Sequence, residues 1–231
     1  MTENLAERLA KVRDKIAAAA QAAGRSADEI TLIAVSKTHP APVLREAIAA
    51  GAGVLGENKV QEAEEKISEI GREKAVWHLI GRLQSNKARK AARLFDAIHT
   101  LDSIELAARL ERICIEENVS TLSVFVQVDL AGEATKAGID ENALPELIEY
   151  LRGASCERLK LEGLMTLPPF FEDAEKVRPF FARLRELRDR FAPGGKLSMG
   201  MSHDFRAAIE EGATHVRVGT AIFGERNYAN R

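Results

Sequence analysis

Short apolar runs alternate with longer segments of helical period from residue 31 to the end of the chain. Short apolar runs of this length between helical segments are typical of buried strands. The segments between them place apolar residues every three or four positions, which is typical of helices. Strands that alternate regularly with helices form parallel sheets, because each helix returns the chain to the same end of the sheet. The alternation therefore predicts an α/β fold.

The pattern predicts an amphipathic N-terminal helix that ends near Gly24, followed by eight strands and eight helices. The predicted strands cover residues 31–36, 54–56, 76–80, 97–100, 123–128, 161–165, 196–199 and 215–218. The predicted helices cover residues 42–50, 60–70, 87–94, 104–117, 143–151, 174–190 and 205–210, and a last short helix begins at Thr220. A (β/α)8 TIM barrel typically takes about 250 residues, so these units fit one barrel. A doubly wound open sheet is the alternative, because periodicity does not show whether the sheet closes.

We expect one domain over residues 1–231, with an N-terminal helix over 1–24 and a flexible tail over 225–231. The 33 basic and 35 acidic residues nearly balance, which predicts no general attraction to nucleic acid or anionic lipid. The two cysteines and five histidines show no metal-type spacing, so no metal is expected. No run approaches the roughly 20 apolar residues of a membrane span. We expect a cytoplasmic protein.

The C-terminal ends of barrel strands are where active sites of this fold lie. Lys37 follows the nearly all-apolar first strand, so its amine is predicted to lie at the mouth of the barrel. Partial desolvation there lowers the pKa of a lysine and favours the neutral amine, which forms a Schiff base with an aldehyde. A lysine that only extends its charged end into solvent explains the position equally well.

Glycine and hydroxyl residues follow the seventh and eighth strands, at points where helices begin. They are Gly200 and Ser202 after one strand and Gly219 and Thr220 after the other. Backbone amides, hydroxyls and helix N-termini bind anions, and the loops after strands seven and eight are the recurrent phosphate site of this barrel. Ordinary turn and N-cap residues would also explain either loop singly. Arg217 alternates with two valines and is predicted to point inward, where it either pairs with a carboxylate or faces a cofactor ring nitrogen. Together these features match the requirements of pyridoxal 5′-phosphate (PLP).

Six segments of the chain match motifs of one known family. They are AVSKT at 34–38, GENKVQE at 56–62, WHLIGRLQSNK at 77–87, EGLM at 162–165, LSMGMSHD at 197–204 and THVRVGTAIFG at 214–224. On these motifs the chain resembles the pyridoxal phosphate homeostasis protein family, in the family's motif order, from about Ile30 to Phe223. The resemblance implies a fold-type III PLP-binding barrel related to the cofactor-binding domain of alanine racemases and ornithine decarboxylases.

The resemblance also implies a cofactor site, with PLP held as a Schiff base on Lys37. Arg217 would approach the pyridine nitrogen, and the phosphate would be held by hydroxyls and backbone amides. The full cofactor-binding set is Lys37, Asn58, Met201, Ser202, Arg217, Gly219 and Thr220. Asp129, His203 and Arg206 depart from the family's usual residues, and the roles of these three and of His78 stay open.

The function implied by the resemblance is a PLP carrier or buffer that affects vitamin B6 and amino-acid balance without established catalytic turnover. Apo-forms of PLP-dependent enzymes are the implied recipients. We expect a monomer, because the dimers of the related racemases depend on a second domain that this chain lacks.

Three other functions compete with the carrier. A racemase-like PLP enzyme would need a second proton-transfer group, for which the chain offers the tyrosines Tyr150 and Tyr228. A Schiff-base aldolase would need Asp102, Asp129 or His78 for proton transfer. A nucleic-acid-binding module would use the basic run over residues 82–93, which is better explained as a solvated helix face.

Overall fold

The computed structural model describes residues 3–132 and 137–224. In these residues eight parallel strands close into a barrel in chain order, and β1 pairs with both β2 and β8. The strands are β1 (Thr31–Val35), β2 (Val54–Glu57), β3 (Val76–Leu79), β4 (Ala97–Leu101), β5 (Leu122–Gln127), β6 (Leu159–Met165), β7 (Lys196–Met201) and β8 (His215–Val218). The predicted (β/α)8 barrel is confirmed, and the open-sheet alternative is wrong.

Helices connect the strands on the outside of the barrel. In the described residues they are α1 (Leu5–Ala22), α2 (Ala41–Ala49), α3 (Val60–Ile70), α4 (Ala88–Leu94), α5 (Ile104–Glu116), α6 (Leu144–Arg152), α7 (Arg178–Phe191), α8 (Phe205–Glu210) and α9 (Thr220–Phe223). Within the described ranges, every helix is too short or too polar to cross a bilayer. The predicted flexible tail at 225–231 lies outside the described residues.

One predicted helix, at 174–190, begins later than expected. Residues Ala174–Val177 form a 3-10 turn, and α7 starts only at Arg178. Pro179 is the cause, because it has no backbone N–H to donate to the carbonyl of residue 175 and so cannot continue an α-helix from that turn. The side chain of Asp173 instead caps the turn by accepting a 3.0 Å hydrogen bond from the Glu175 N–H.

The N-terminal helix α1 lies against the helices that follow β7 and β8. A capping box between Asn4 and Glu7 starts the helix, and its apolar side packs against α8 and α9. Arg8 Nε donates a 2.6 Å hydrogen bond to the Ile222 carbonyl, and Arg25 Nη1 donates a 2.8 Å bond to the Ala213 carbonyl. This added helix therefore supports the two segments that carry the predicted phosphate loops.

The barrel interior mixes apolar and polar side chains. Rings from β3, β4, β5 and β8 contact one another across the barrel, with centroid distances of 4.9 Å for His78 and His99, 4.2 Å for His99 and Phe125, and 5.1 Å for Phe125 and His215. Because β5 and β8 are not neighbours, Phe125 and His215 can meet only through the barrel interior, and the rings of His78 and His99 pack with them there. Gly56 also faces inward, and a Cβ at that position would lie 2.7 Å from Ile33. Aromatic and histidine rings therefore fill the barrel below its mouth.

Candidate functional site

A cavity of about 320 Å³ opens at the C-terminal ends of the strands. Its lining includes all seven residues that were predicted from the sequence to bind a cofactor, which are Lys37, Asn58, Met201, Ser202, Arg217, Gly219 and Thr220. They come from the ends of β1, β2, β7 and β8, which are distant along the sequence. The closed barrel therefore brings the predicted set to one place.

Half of the cavity lining was not predicted from the sequence. The further residues are Val35, His39, Ile80, Leu167, Phe170, His203 and Gly224. Phe170 follows β6 and is 75% exposed, and its ring centroid lies 5.5 Å from that of His203, whose Nε2 is 2.9 Å from the Glu172 carbonyl. From the sequence, this region could be recognised only as the loop that follows β6, because the loop carries no residue type with obvious chemistry. It forms one rim of the cavity.

The turn after β1 places Lys37 at the cavity. The Lys37 side chain is half-buried, and the backbone N–H of His39 donates a 3.1 Å hydrogen bond to the Ser36 carbonyl, which closes the turn. The His39 ring stacks on Phe223, with 4.8 Å between centroids. The turn therefore packs against the helix that follows β8, on the side where Gly219 and Thr220 lie.

The loop after β7 is shaped by a glycine and an aspartate. Gly200 has φ +92°, and a Cβ there would lie 2.6 Å from the Cβ of Ala208, so only glycine fits. The N–H of Met201 donates a 2.6 Å hydrogen bond to Asp204 Oδ1, and the N–H of Gly219 donates a 3.3 Å bond to Ser202 Oγ. Burial raises the pKa of Asp204 above its usual value. The two predicted phosphate loops therefore contact each other at the cavity.

Arg217 is buried at the base of the cavity, with only 3% of its surface exposed. Its Nη1 donates a 2.7 Å hydrogen bond to Ser198 Oγ, and its Nη2 donates a 2.9 Å bond to the Thr166 carbonyl. Burial lowers the pKa of Arg217 to about 10, so the guanidinium stays charged at neutral pH. No carboxylate forms an ion pair with it in the part of the chain that the structure describes. Of the two roles considered for Arg217, the structural ion pair is therefore not observed.

Three buried histidines lie behind Arg217. His99 Nδ1 is 2.8 Å from Ser198 Oγ, and His99 Nε2 is 3.0 Å from His78 Nδ1. Burial lowers the pKa of His78 to about 4 and that of His215 to about 3, and it lowers the pKa of His99 well below its usual value. All three rings are therefore neutral at pH 7. His78 and His99 are hydrogen-bonded to each other and His215 packs against both rings, so the three form a floor below the cavity and do not line it.

The groups that an aldolase would need for proton transfer lie elsewhere. Asp102 lines a separate cavity with Arg82. Asp129 accepts hydrogen bonds of 3.0 and 3.2 Å from the N–H groups of Ala131 and Gly132. His78 is buried in the floor. None of the three belongs to the lining of the mouth cavity.

The basic run over residues 82–93 is largely neutralised by carboxylates. Arg89 pairs with Glu116 and Glu117, and Lys90 Nζ lies 2.7 Å from Glu64 Oε2. These contacts agree with the interpretation of this run as a solvated helix face.

Arg206 is one of the residues that depart from the family pattern. It is exposed and pairs with Glu210 at 3.1 Å, away from the mouth cavity.

Known proteins resemble this chain along nearly its full length. Residues 8–227 match the family model described as alanine racemase, N-terminal domain. The pyridoxal phosphate homeostasis protein of Aquifex aeolicus is 43% identical over 230 residues, covering 97% of this chain and 100% of the relative, and that of Escherichia coli K12 is 44% identical over 235 residues, covering 99% of each. The solved structure of PipY from Synechococcus elongatus PCC7942 with PLP bound is 40% identical, with a TM-score of 0.79 over 96% of this chain and 100% of PipY.

Proposed function

The chain belongs to the pyridoxal phosphate homeostasis protein family, whose fold is the alanine racemase N-terminal domain, and we propose that it binds PLP in the mouth cavity. Its role is the intracellular homeostasis of this cofactor. The observation that carries the proposal is the meeting of Lys37, Arg217 and the two hydroxyl-bearing loops in one cavity. Two further observations support this conclusion. The relatives are named pyridoxal phosphate homeostasis proteins, and the related PipY structure contains bound PLP.

The residues of the cavity fit PLP in size and charge. A volume of about 320 Å³ is at the lower end of the range for small-molecule sites, and PLP is a small ligand. Lys37 and Arg217 contribute positive charge, while no Asp or Glu lines the cavity within residues 3–132 and 137–224. Arg217 has five N–H donors and uses two of them within the protein, so donors remain for a ring nitrogen.

Each residue has a role that follows from its position. When bound, PLP supplies an aldehyde that condenses with a primary amine, a pyridine ring and a phosphate dianion. Lys37 provides the amine, and Arg217 donates to the pyridine nitrogen. Ser202 and Thr220 provide hydroxyl donors for the phosphate, and Gly219 lets the backbone approach it. Asn58 and Met201 also line the cavity, and Asn58 would lie beside the ring of the bound cofactor.

We infer that the protein carries PLP and does not turn over an amino-acid substrate. A charged arginine at the pyridine nitrogen disfavours protonation of that nitrogen, which weakens the electron sink that stabilises a carbanion. Tyr150 does not line the cavity, and Tyr228 lies outside the described residues. We further propose a cytoplasmic monomer that passes PLP to apo-forms of PLP-dependent enzymes. The two buried free cysteines suit a reducing compartment.

The visible spectrum of the purified protein with added PLP tests the proposal. We expect a yellow protein that borohydride bleaches, with the reduced label on the peptide that contains Lys37. Racemase and decarboxylase assays of the loaded protein are expected to show no turnover. A protein that PLP does not colour, or a label on another lysine, contradicts the assignment of the site.

Replacing Arg217 by methionine is expected to weaken PLP binding by about tenfold to a hundredfold. The reason is that a hydrogen bond to a charged group is worth about 1.5–3 kcal/mol. Spectrophotometric titration with PLP measures the Kd, and urea unfolding of the cofactor-free protein separates binding from stability. Arg217→Lys is the matched variant, because it keeps the charge and loses the planar arrangement of donors. An unchanged Kd in both variants would show that the guanidinium does not contact PLP.

A further inference from the structure

A buried cluster of charged side chains lies next to the Lys37 turn and outside the cavity lining. Lys66 Nζ, on α3, is 2.7 Å from Glu57 Oε1 and 2.7 Å from Glu62 Oε1. Glu57 is fully buried and Lys66 is 6% exposed, while Glu62 is only partly buried. We name Glu57, Glu62 and Lys66 the clamp.

The clamp holds the residue on each side of Lys37. On the N-terminal side, the Ser36 carbonyl accepts a 2.8 Å hydrogen bond from Lys66 Nζ, and Ser36 Oγ donates a 2.6 Å bond to Glu57 Oε1. On the C-terminal side, the backbone N–H of Thr38 donates to Glu62 Oε1. Lys37 therefore extends from a turn whose two neighbouring residues are fixed to β2 and α3.

The backbone of Thr38 is strained, and the clamp contacts this residue directly. Thr38 has φ +70°, in the left-handed region that β-branched residues rarely adopt. Such a conformation persists only where the surrounding contacts determine it, and in proteins it is concentrated at functional sites. Thr38 makes its backbone contact to the clamp through Glu62, so the loss of Glu62 removes the contact that opposes the strain.

Stability alone does not account for the clamp. Removing charges from water costs free energy that their mutual attraction often fails to offset, so a buried ion pair is weak evidence for stability. Burial raises the pKa of Glu57, and its Oε2 has no hydrogen-bond partner in the described residues, so part of this cost remains uncompensated. A role in fixing the geometry of the turn explains why charged groups occupy this position.

We propose that Glu57, Glu62 and Lys66 are positioning residues, which hold the strained Ser36–Thr38 turn so that the Lys37 amine faces the cofactor cavity. The proposal rests on the proposed function, because it gives Lys37 the role of binding PLP. The clamp residues touch the turn, and none of them lines the cavity. Their effect on PLP is therefore exerted through the backbone on either side of Lys37.

The test uses Glu62→Ala, which removes the acceptor for the Thr38 N–H and leaves the Glu57–Lys66 pair in place. We expect the Kd for PLP to rise about tenfold, because strain of this kind is enough to shift a conformational equilibrium by that factor. In the cofactor-free protein, we expect faster hydrogen exchange of the Thr38 amide. Lys90→Met is the matched control, because it breaks a 2.7 Å lysine–glutamate pair at an exposed place. We expect it to change neither quantity.

Adding Thr38→Gly to Glu62→Ala separates positioning from a general loss of structure. Glycine adopts positive φ without strain, so the double variant is expected to keep the turn in place without the clamp and to restore most of the affinity. Wild-type affinity in Glu62→Ala, or a double variant that stays as weak as Glu62→Ala, would overturn the proposal. If wild-type protein does not bind PLP, the proposed function fails. The Thr38 exchange measurement still tests whether the clamp holds the turn.

Discussion

Replacing Lys37 by alanine is expected to give a folded protein that does not develop the colour of the Schiff base when PLP is added. The variant removes the amine that condenses with the aldehyde, while the ring and phosphate contacts remain. Lys37 is half-buried at the mouth and belongs to no part of the apolar core, so the unfolding free energy is expected to change little. Absorption spectra and mass spectrometry after borohydride reduction measure the effect. Added methylamine is expected to restore part of the colour, because it supplies an amine to PLP held non-covalently.

Lys74→Ala is the control for this substitution. Lys74 is exposed and lies just before β3, at the opposite end of the barrel, so this variant is expected to bind PLP like the wild type. Lys66 is a buried lysine close to the turn, and its three acceptors hold it outside the cavity. A Lys37→Ala variant with the wild-type spectrum and a borohydride label would contradict the role of Lys37.

Lowering the pH from about 7 to about 5 is expected to reduce the unfolding free energy by on the order of 5 kcal/mol. The cause is the set of buried histidines, His78, His99 and His215. In the unfolded chain each binds a proton below about pH 6.5, whereas burial lowers their pKa values in the folded protein, to about 4 for His78 and about 3 for His215. Between these values the unfolded state holds more protons, so stability falls as the pH falls, by about 2 kcal/mol at about pH 5 for each of His78 and His215, and His99 adds to the loss.

Urea unfolding of the cofactor-free protein at several pH values measures this dependence. His215→Phe is expected to remove about 2 kcal/mol of it, because the contribution of this histidine is lost. The exposed His203 provides the control, and His203→Gln is expected to leave the dependence unchanged. Burial raises the pKa of Glu57 and Asp204, so their protonation favours the folded state and offsets part of the loss below about pH 5. Stability that does not change between about pH 7 and about pH 5 would contradict the prediction.

Most of the fold could be predicted from the sequence, because the spacing of apolar residues differs clearly between strands and helices. Every predicted strand differs from the observed one by at most two residues at either end. Closure of the barrel depends on the pairing of β1 with β8, which joins residues from opposite ends of the chain, such as Thr31 and His215. Local periodicity carries no information about such a contact. The late start of α7 shows that a single proline can change an element whose apolar pattern is continuous.

The part of the candidate site that could be predicted from the sequence is the part that lies at the ends of the strands. Lys37, Arg217 and the loops after β7 and β8 have chemical types that indicate a function at those places. The hydrogen bonds from Ser198 to His99 and from Ser36 to Glu57 could not be predicted, because they depend on which side chains face each other across the barrel or between neighbouring strands. Phe170 was missed for a different reason, because a single apolar residue in an exposed loop is common and does not by itself indicate a site.

A continuous chain of hydrogen bonds runs from Arg217 through Ser198 and His99 to His78 in the floor of the cavity. Arginine can only donate, so Ser198 Oγ accepts from Arg217, and His99 Nδ1 is the acceptor within reach of the Ser198 hydroxyl in the described residues. With the Ser198 hydroxyl donating to His99 Nδ1, His99 carries its proton on Nε2 and donates to His78 Nδ1. The tautomers of His99 and His78 are therefore coupled to each other and, through Ser198, to the donors that Arg217 directs into the base of the cavity.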